Sequence, residues 1–366
     1  MHVVQIMASA ARGGGADHLK GILPVLRERE IRCSLVTGLD GSLGEWAQDE
    51  GFESVPLDLM KARWSPLMAW RLRRVLHRLK PDVVHYHGTR AAFFGSLGNL
   101  VGRPLPSIYS AHGLAYRKET TPLRRWIYST AEGVACRGVQ HVVSVSNMDL
   151  KDLRRRGLLS GPGTYVPNAV DTERFKPGDK NAARQTLGLS PDAFIVGTVG
   201  RMVPQKALHH LIDAMAFCPD MELVLIGDGE LRGALEHQAR GIAERVHFVG
   251  SRRDVHALLP ALDIFALSSL WEGQPIALLE AMACGIPCVA TATEGSRELM
   301  EEIPGGFVVP MGDPESFAGC FNRLRANPEV GVLLGERGRA GTLLRSHEQI
   351  ARSLEILYRD VGHGAL

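Results

Sequence analysis

The sequence predicts an α/β protein made of two doubly wound domains facing across a cleft. Three observations predict it. Short apolar runs alternate with longer amphipathic segments. The runs fall into two series. A stretch rich in Pro, Gly and Asp separates the series at 160–192. The first series lies at 2–8, 33–37, 83–86, 107–110 and 141–145, the second at 195–199, 223–226, 246–249, 264–267, 287–291 and 306–309. Helical patterns such as 67–79 and 208–217 lie between them. Strands alternating with helices imply parallel sheets covered on both faces. A barrel would need eight evenly spaced units, which the break interrupts. The break reads as a linker with one short strand at 164–166. The expected domains are therefore 1–165 and 166–344. The closing helical pattern starts near 314, and its last part, about 345–366, returns to the first domain. Open parallel sheets bind ligands at the carboxyl ends of their strands, so the chemistry is expected there.

Composition sets the outer limits. The chain has 366 residues, 45% of them hydrophobic and 22% charged, which is ordinary for a globular protein. A net charge of +2 gives no ground for a nucleic-acid partner. Basic residues nevertheless cluster at 71–80, 117–125 and 154–156, with Trp64, Trp70, Tyr116, Trp126 and Tyr128 near them in sequence. Basic side chains beside aromatic ones suit an anionic membrane surface; solvated helix faces over aromatic core residues are the alternative. The N-terminal MHVVQIMASA lacks a basic leader and reads as a first strand. No apolar run is long enough to span a bilayer. The six cysteines are scattered and read as reduced thiols, and the C-x3-C of Cys284 and Cys288 has no second pair to make a metal site.

The stretch SSLWEGQPIALLEAMACGIPCVA at 268–290 holds two acids, Glu272 and Glu280. Pro275 suits a first helical turn, and Gly285 and Pro287 end the helix. The residues between are apolar on every side, which predicts a buried helix. A carboxylate inside it needs a partner, either a neighbouring donor or the hydroxyls of a ligand. The helix start, Gly273–Gln274–Pro275, would offer the free N–H groups of Gly273 and Gln274 to an anion. In VGRMVPQKALHHLIDA a strand runs into Arg201 and Lys206, two cations suited to a diphosphate. Gly13 and Gly14, in ARGGGAD, permit close backbone approach after the first strand. His112 follows another strand, and His85 and His87 stand in similar positions.

Four motifs in order carry a family resemblance. SSLWEGQPIALLEAMACGIPCVATATEGSRELM resembles the signature of retaining, nucleotide-sugar-dependent glycosyltransferases of the GT-B fold, the family 4 type, whose two glutamates match Glu272 and Glu280. VGRMVPQKALHHLIDA, VPNAVDTERFKP and LVLIGDGELRGALE are similar to that family's other segments. The resemblance is dense over 164–310 and loose before it. There are three departures. Ala207 replaces a usual Gly, Asn168 is followed by Ala169 rather than Gly, and EGSRE at 294–298 replaces G-G-x-x-E.

The resemblance implies two Rossmann-like domains, the N-terminal one binding acceptor and the C-terminal one binding nucleotide sugar. Arg201 and Lys206 would bind the donor diphosphate and stabilise the leaving nucleotide. Glu280 would accept from the ribose hydroxyls. Glu272, with the backbone of Gly273 and Gln274, would contact the donor sugar, the loop continuing through Pro275 and Ile276. Arg253 would border the base. Gly13 and Gly14 would form the N-domain loop near the phosphates, and His112 would contact the donor sugar. The implied enzyme is a metal-independent hexosyltransferase without cofactor. It would use a UDP- or GDP-linked donor and a glycan or lipid-linked acceptor, in bacterial lipopolysaccharide or polysaccharide synthesis. It would work in the cytoplasm, peripheral on the inner face of the membrane. The rivals are a nucleotide-sugar epimerase of the same architecture, an NAD-dependent dehydrogenase and a non-catalytic relative. The strand at 33–37 lacks the acid that a dinucleotide site needs.

Overall fold

The computed structural model describes residues 1–8, 14–38, 42–60, 66–99, 103–117 and 121–364. In chain order the first half runs β1 (His2–Met7), α1 (Gly14–Glu28), β2 (Arg32–Thr37), α2 (Ser42–Asp49), β3 (Glu53–Pro56), α3 (Pro66–Leu79) and β4 (Val83–His87). It continues through α4 (Thr89–Asn99), β5 (Ser107–Ala111), α5 (Pro122–Arg137), β6 (His141–Ser144), α6 (Asn147–Arg155) and β7 (Gly163–Tyr165). The second half runs α7 (Lys180–Leu187), β8 (Phe194–Val199), α8 (His209–Ala214), β9 (Met221–Ile226), α9 (Arg232–Gln238), β10 (Val246–Gly250), α10 (Val255–Leu258) and β11 (Ile264–Leu267). Then come α11 (Ile276–Ala283), β12 (Cys288–Thr291), α12 (Glu294–Glu302), β13 (Gly306–Val309), α13 (Pro314–Ala326), α14 (Pro328–Leu343) and α15 (His347–Gly362).

The chain forms two compact units, Met1–Ala169 with His347–Leu366, and Val170–Ser346. The division thus falls four residues after the expected boundary at 165. In the first unit the sheet order is β3-β2-β1-β4-β5-β6-β7, in the second β10-β9-β8-β11-β12-β13. Every paired strand is parallel. Both orders reverse direction beside the unit's first strand. That topological switch point lies between β1 and β4 in one sheet and between β8 and β11 in the other.

Period-2 side-chain alternation splits each core into two layers. In the first unit Val3, Val83 and Ile108 pack with Leu19, Leu23, Leu354 and Tyr358 of α1 and α15. Val4, Val84, Tyr86 and Tyr109 pack on the opposite face with Phe94 of α4. The second unit repeats the scheme, Ile195, Val224 and Phe265 facing Leu278 and Leu279 of α11, and Val196, Leu223 and Ile264 facing Phe317 and Phe321 of α13.

Three elements differ from the sequence expectation. β3 was not expected, because ESVP has no apolar run and its ends are exposed; it lies at a sheet edge, where a strand buries little. The linker contains α7, capped by Asp179, whose side chain accepts from the Asn181 and Ala182 N–H groups, and closed by left-handed Gly188 (φ 69°). The closing helical pattern is three helices, broken before Pro328 and again at Leu344.

Candidate functional site

In the second unit the loops after β8 and β11 meet at the switch point. The first carries Arg201 and Lys206, the second Glu272, Gly273 and Gln274. Lys206 Nζ lies 2.6 Å from Glu272 Oε1, and both side chains are largely shielded, at 17% and 11% exposure. An ion pair sheltered this way holds both side chains in place. Further bonds tie the loops together. Leu270 N–H donates to Gln205 O at 2.8 Å, Gln205 Nε2 to Trp271 O at 2.8 Å, and Ser268 Oγ to Lys206 O at 2.8 Å. Thr291 Oγ1, at the end of β12, donates to Ser269 O at 2.5 Å. Arg201 is exposed beside this cluster in sequence, after Gly200.

Pro275 precedes α11 in an extended conformation (φ −74°, ψ 110°) rather than lying in its first turn. Gln274 is buried. Helix α11 is not buried all round, as its apolar composition suggested. Leu278, Leu279, Ala281, Met282 and Ala283 are buried, whereas Ile276, Ala277 and Glu280 are half-exposed. Positions 276 and 280 share a helix face, so Glu280 stands on an accessible stripe rather than in the core. Left-handed Gly285 (φ 75°) closes the turn after it. Arg253 is exposed in the loop after β10, the edge strand of the sheet, and is not at the switch point.

Several of these loops pack backbone on backbone. A Cβ on Gly227 would fall 1.9 Å from Gly200 O, one on Gly229 2.5 Å from Met202 O, and one on Gly295 1.9 Å from Gly273 O. Those glycines hold the loops of Arg201 and Glu272 from behind, a role that the sequence alone did not assign. The third departure, EGSRE, therefore keeps the glycine that matters sterically, with Thr293 Oγ1 accepting from Ser296 N–H to start α12. Ala207 is less benign. It is buried and left-handed (φ 44°), a conformation glycine adopts freely and alanine at a cost of about 1–2 kcal/mol. Ala169 packs its methyl into the first unit's core.

In the first unit, Gly13 lies outside the described residues and Gly14 opens α1. His112 follows β5 and stacks on His87, with ring centroids 5.4 Å apart. His87 Nδ1 and His112 Nε2 are 3.1 Å apart. Burial pushes His112 down to about 4 and His85 to about 3, and holds His18 and His87 well below the usual histidine range. All four rings are neutral at pH 7. On the other face of the sheet, Glu132 is fully buried, bonded to Tyr109 Oη at 2.6 Å and Thr89 Oγ1 at 2.8 Å, and burial raises it to about 7.

The basic clusters separate on inspection. Helix α4 packs against both α3 and α5. Those two helices expose Leu67, Trp70, Leu123, Trp126 and Ile127, with Arg71, Arg124 and Arg125 also at the surface. Arg74 lies over the Trp70 ring at 5.6 Å. By contrast Tyr116 is buried and donates to Asp152, Tyr128 packs against the core, and Arg117, Arg155 and Arg156 pair with Asp149 or Asp152. Trp64 lies outside the described residues. Among the described residues, no group of three or more His, Cys, Asp or Glu could hold a metal ion, and no helix is long and apolar enough to cross a membrane. Cys284 and Cys288 are buried thiols, burial pushing Cys284 up to about 12.

Comparison with known proteins follows the same division. Residues 193–327 match the family model of glycosyl transferases group 1, and residues 12–174 that of glycosyltransferase family 4. The chain is 30% identical to the lipopolysaccharide core biosynthesis glycosyltransferase LpsE of Rhizobium meliloti (strain 1021), over 74% of each chain. It is 29% identical to the UDP-Gal:alpha-D-GlcNAc-diphosphoundecaprenol alpha-1,3-galactosyltransferase of Escherichia coli, over 72% of this chain and 71% of that one. Its fold is similar to that of Anabaena Alr3699/HepE, crystallised in complex with UDP, with a TM-score of 0.86 at 22% identity, covering 98% of this chain and 100% of that one.

The histidines make stability pH-dependent. A folded-state value below the unfolded one, about 6.5, means that the native state binds fewer protons. The stabilisation is complete above about 6.5 and is lost as pH falls towards the folded values. Glu132, raised when folded, acts oppositely, favouring the native state as pH falls from about 7. Urea midpoints of the first unit, read by hydrogen exchange of β1 and β4, should therefore drop between pH 7 and 5. They should drop more steeply in Glu132→Gln. A midpoint flat over that range in both proteins would contradict the neutral cluster.

Proposed function

We propose that this chain, which belongs to the glycosyltransferases of group 1 and family 4, transfers a hexosyl residue, with retention, from a UDP- or GDP-linked sugar to a glycan or lipid-linked acceptor. The observation that carries the reading is the sheltered Lys206–Glu272 pair at a switch point, on a loop that leads through Gly273 and Gln274 into α11. The names of the relatives, one using UDP-Gal and an undecaprenol-linked acceptor and another acting in lipopolysaccharide core biosynthesis, support cell-surface glycan synthesis.

The reaction needs a stabilised oxocarbenium-like centre and a stabilised departing nucleoside diphosphate. Arg201 and Lys206 supply charge to the diphosphate, most strongly as its oxygen leaves. Without donor, Glu272 holds Lys206. With donor bound, Lys206 trades that carboxylate for the diphosphate, which releases Glu272 to accept hydroxyls of the sugar. Glu280, half-exposed on α11, accepts from the ribose, and the Gly273 and Gln274 backbone completes the anion contacts. Arg253 borders the base. In the first unit, His112 is assigned the sugar-contacting role that its motif implies, and Gly13 and Gly14 the phosphate-loop role that theirs implies. Two cations already serve the diphosphate, so the enzyme works without a metal. Retention then follows from attack on the face that the leaving group vacates, with no protein nucleophile required.

A panel of UDP-glucose, UDP-galactose, UDP-N-acetylglucosamine and GDP-mannose, scored by nucleotide release, tests this reading. One donor should turn over, and Lys206→Ala should slow it at least tenfold. Lys180, paired with Asp263 at the amino end of β11, is the control and should be dispensable. Undiminished release in Lys206→Ala would refute the assignment. Turnover should also survive excess EDTA; loss that magnesium or manganese restores would refute metal independence.

The exposed face of α3 and α5 supports work at a membrane surface. Trp70 and Trp126 are 54% and 66% exposed, among exposed arginines. Aromatics suit the headgroup level, and each basic residue near an anionic surface contributes about 1 kcal/mol. The protein should sediment with anionic liposomes at low salt and be released by high salt. Doubly substituted Trp70→Ala, Trp126→Ala protein should bind less. Protein left in the supernatant with anionic vesicles at low salt would favour a soluble acceptor.

A further inference from the structure

A chain of hydrogen-bonded side chains runs through the apolar layer beneath α1 and α15. His85 Nε2 is 2.7 Å from Ser110 Oγ, and His85 Nδ1 is 2.7 Å from Tyr358 Oη. Gln5 Nε2 donates to Tyr358 Oη at 3.1 Å. Gln5 Oε1 lies 2.8 Å from His87 Nε2, and His87 Nδ1 lies 3.1 Å from His112 Nε2. Gln5, His85, His87, Ser110 and Tyr358 are each at most 4% exposed. They sit among Val3, Val83 and Ile108, where apolar side chains would pack without any polar group to satisfy. A fully paired polar chain in such a layer is a costly arrangement that fixes geometry.

The bonds also fix direction. The histidines are neutral, so each ring has one N–H and one lone pair. Tyr358 has a single hydroxyl proton. Gln5 donates its NH2 group to the Tyr358 oxygen, which turns the Gln5 carbonyl towards His87 and leaves the Tyr358 proton for His85 Nδ1. His87 then donates from Nε2 and accepts at Nδ1, and His112 must donate from Nε2. That leaves the His112 Nδ1 lone pair for a ligand. Reversing the Gln5 amide would invert both imidazoles and put a proton there instead. His18, with its ring edge-on to His112 at 5.6 Å, and the stacked His87 hold the ring plane.

We propose that Tyr358 of the C-terminal helix is a positioning residue that sets the tautomer of His112 through Gln5 and His87. The inference rests on His112 having the role given it above. Tyr358→Phe keeps the buried ring and removes only the hydroxyl; Gln5→Leu cuts the chain at its middle. Long-range 1H–15N spectra of histidine-labelled protein read the tautomers without any donor. Wild type should show His112 and His87 each as one tautomer with the proton on Nε2, and either variant should give mixed or inverted forms. With whichever panel donor turns over, Tyr358→Phe should lower kcat with KM little changed, about twofold if the tautomers become evenly mixed and about tenfold if the wrong one is favoured by about 1.4 kcal/mol. In a His112→Ala background it should cost nothing further. Unaltered tautomers in Tyr358→Phe overturn the proposal, whatever Gln5→Leu shows, as do effects of Tyr358→Phe and His112→Ala that multiply. Full turnover in His112→Ala overturns the role of His112 as well; impaired His112→Ala with a silent Tyr358→Phe overturns the relay alone.

Discussion

Backbone packed directly on backbone is the constraint on which the second unit's site depends. Gly227 against Gly200 and Gly295 against Gly273 leave no room for a side chain, the hypothetical Cβ falling 1.9 Å from a carbonyl oxygen in each case. These contacts back the loop after β8 with the turn after β9 and the loop after β11 with the start of α12, and the Leu270–Gln205, Gln205–Trp271 and Ser268–Lys206 bonds join the two loops where the strand order reverses. Only with the loops so placed does Lys206 reach Glu272, and only then do Gly273 and Gln274 come to stand at the start of α11. The strained left-handed Ala207, directly after Lys206, shows how tightly that turn is determined by its surroundings.

The first unit uses the same strand order around its own reversal, but fills the equivalent position with neutral imidazoles rather than an ion pair. Burial excludes the charged form of His85, His87 and His112, so hydrogen-bond direction, not charge, becomes the variable that the fold controls. Tyr358 enters that arrangement from the last helix of the chain, which belongs to this unit although the whole of the second unit precedes it. One sheet thus carries an ion pair at its switch point, and the other a chain of neutral imidazoles.

Much of this was legible in the sequence because strands buried on both faces are apolar throughout and therefore visible as runs. The edge strand β3 was invisible for the converse reason. Helix α7 was hidden by a Pro- and Gly-rich neighbourhood, although its Asp179 and Gly188 caps are ordinary start and stop signals. Lys206, Glu272 and Glu280 were found by motif, yet the physical argument for Glu280 misjudged its setting, since composition cannot say which side of a short helix is left uncovered. The supporting glycines and Thr291 carry no sequence signal of their own, because close approach depends on a partner distant along the chain. The histidine chain was half visible: His85, His87 and His112 stood out, but nothing linked them to Gln5 or to Tyr358, over 350 residues away from it.

The central claim is that the switch point of the second unit receives a nucleoside diphosphate, with Lys206 on the diphosphate and Glu280 on the ribose. Calorimetric titration of wild type and Glu280→Ala with UDP, GDP and inorganic diphosphate tests it most directly. The account predicts that one nucleotide binds wild type, that Glu280→Ala weakens it at least tenfold, and that inorganic diphosphate binds both proteins alike. Equal nucleotide affinity in the two proteins, or no nucleotide binding to wild type, would contradict it.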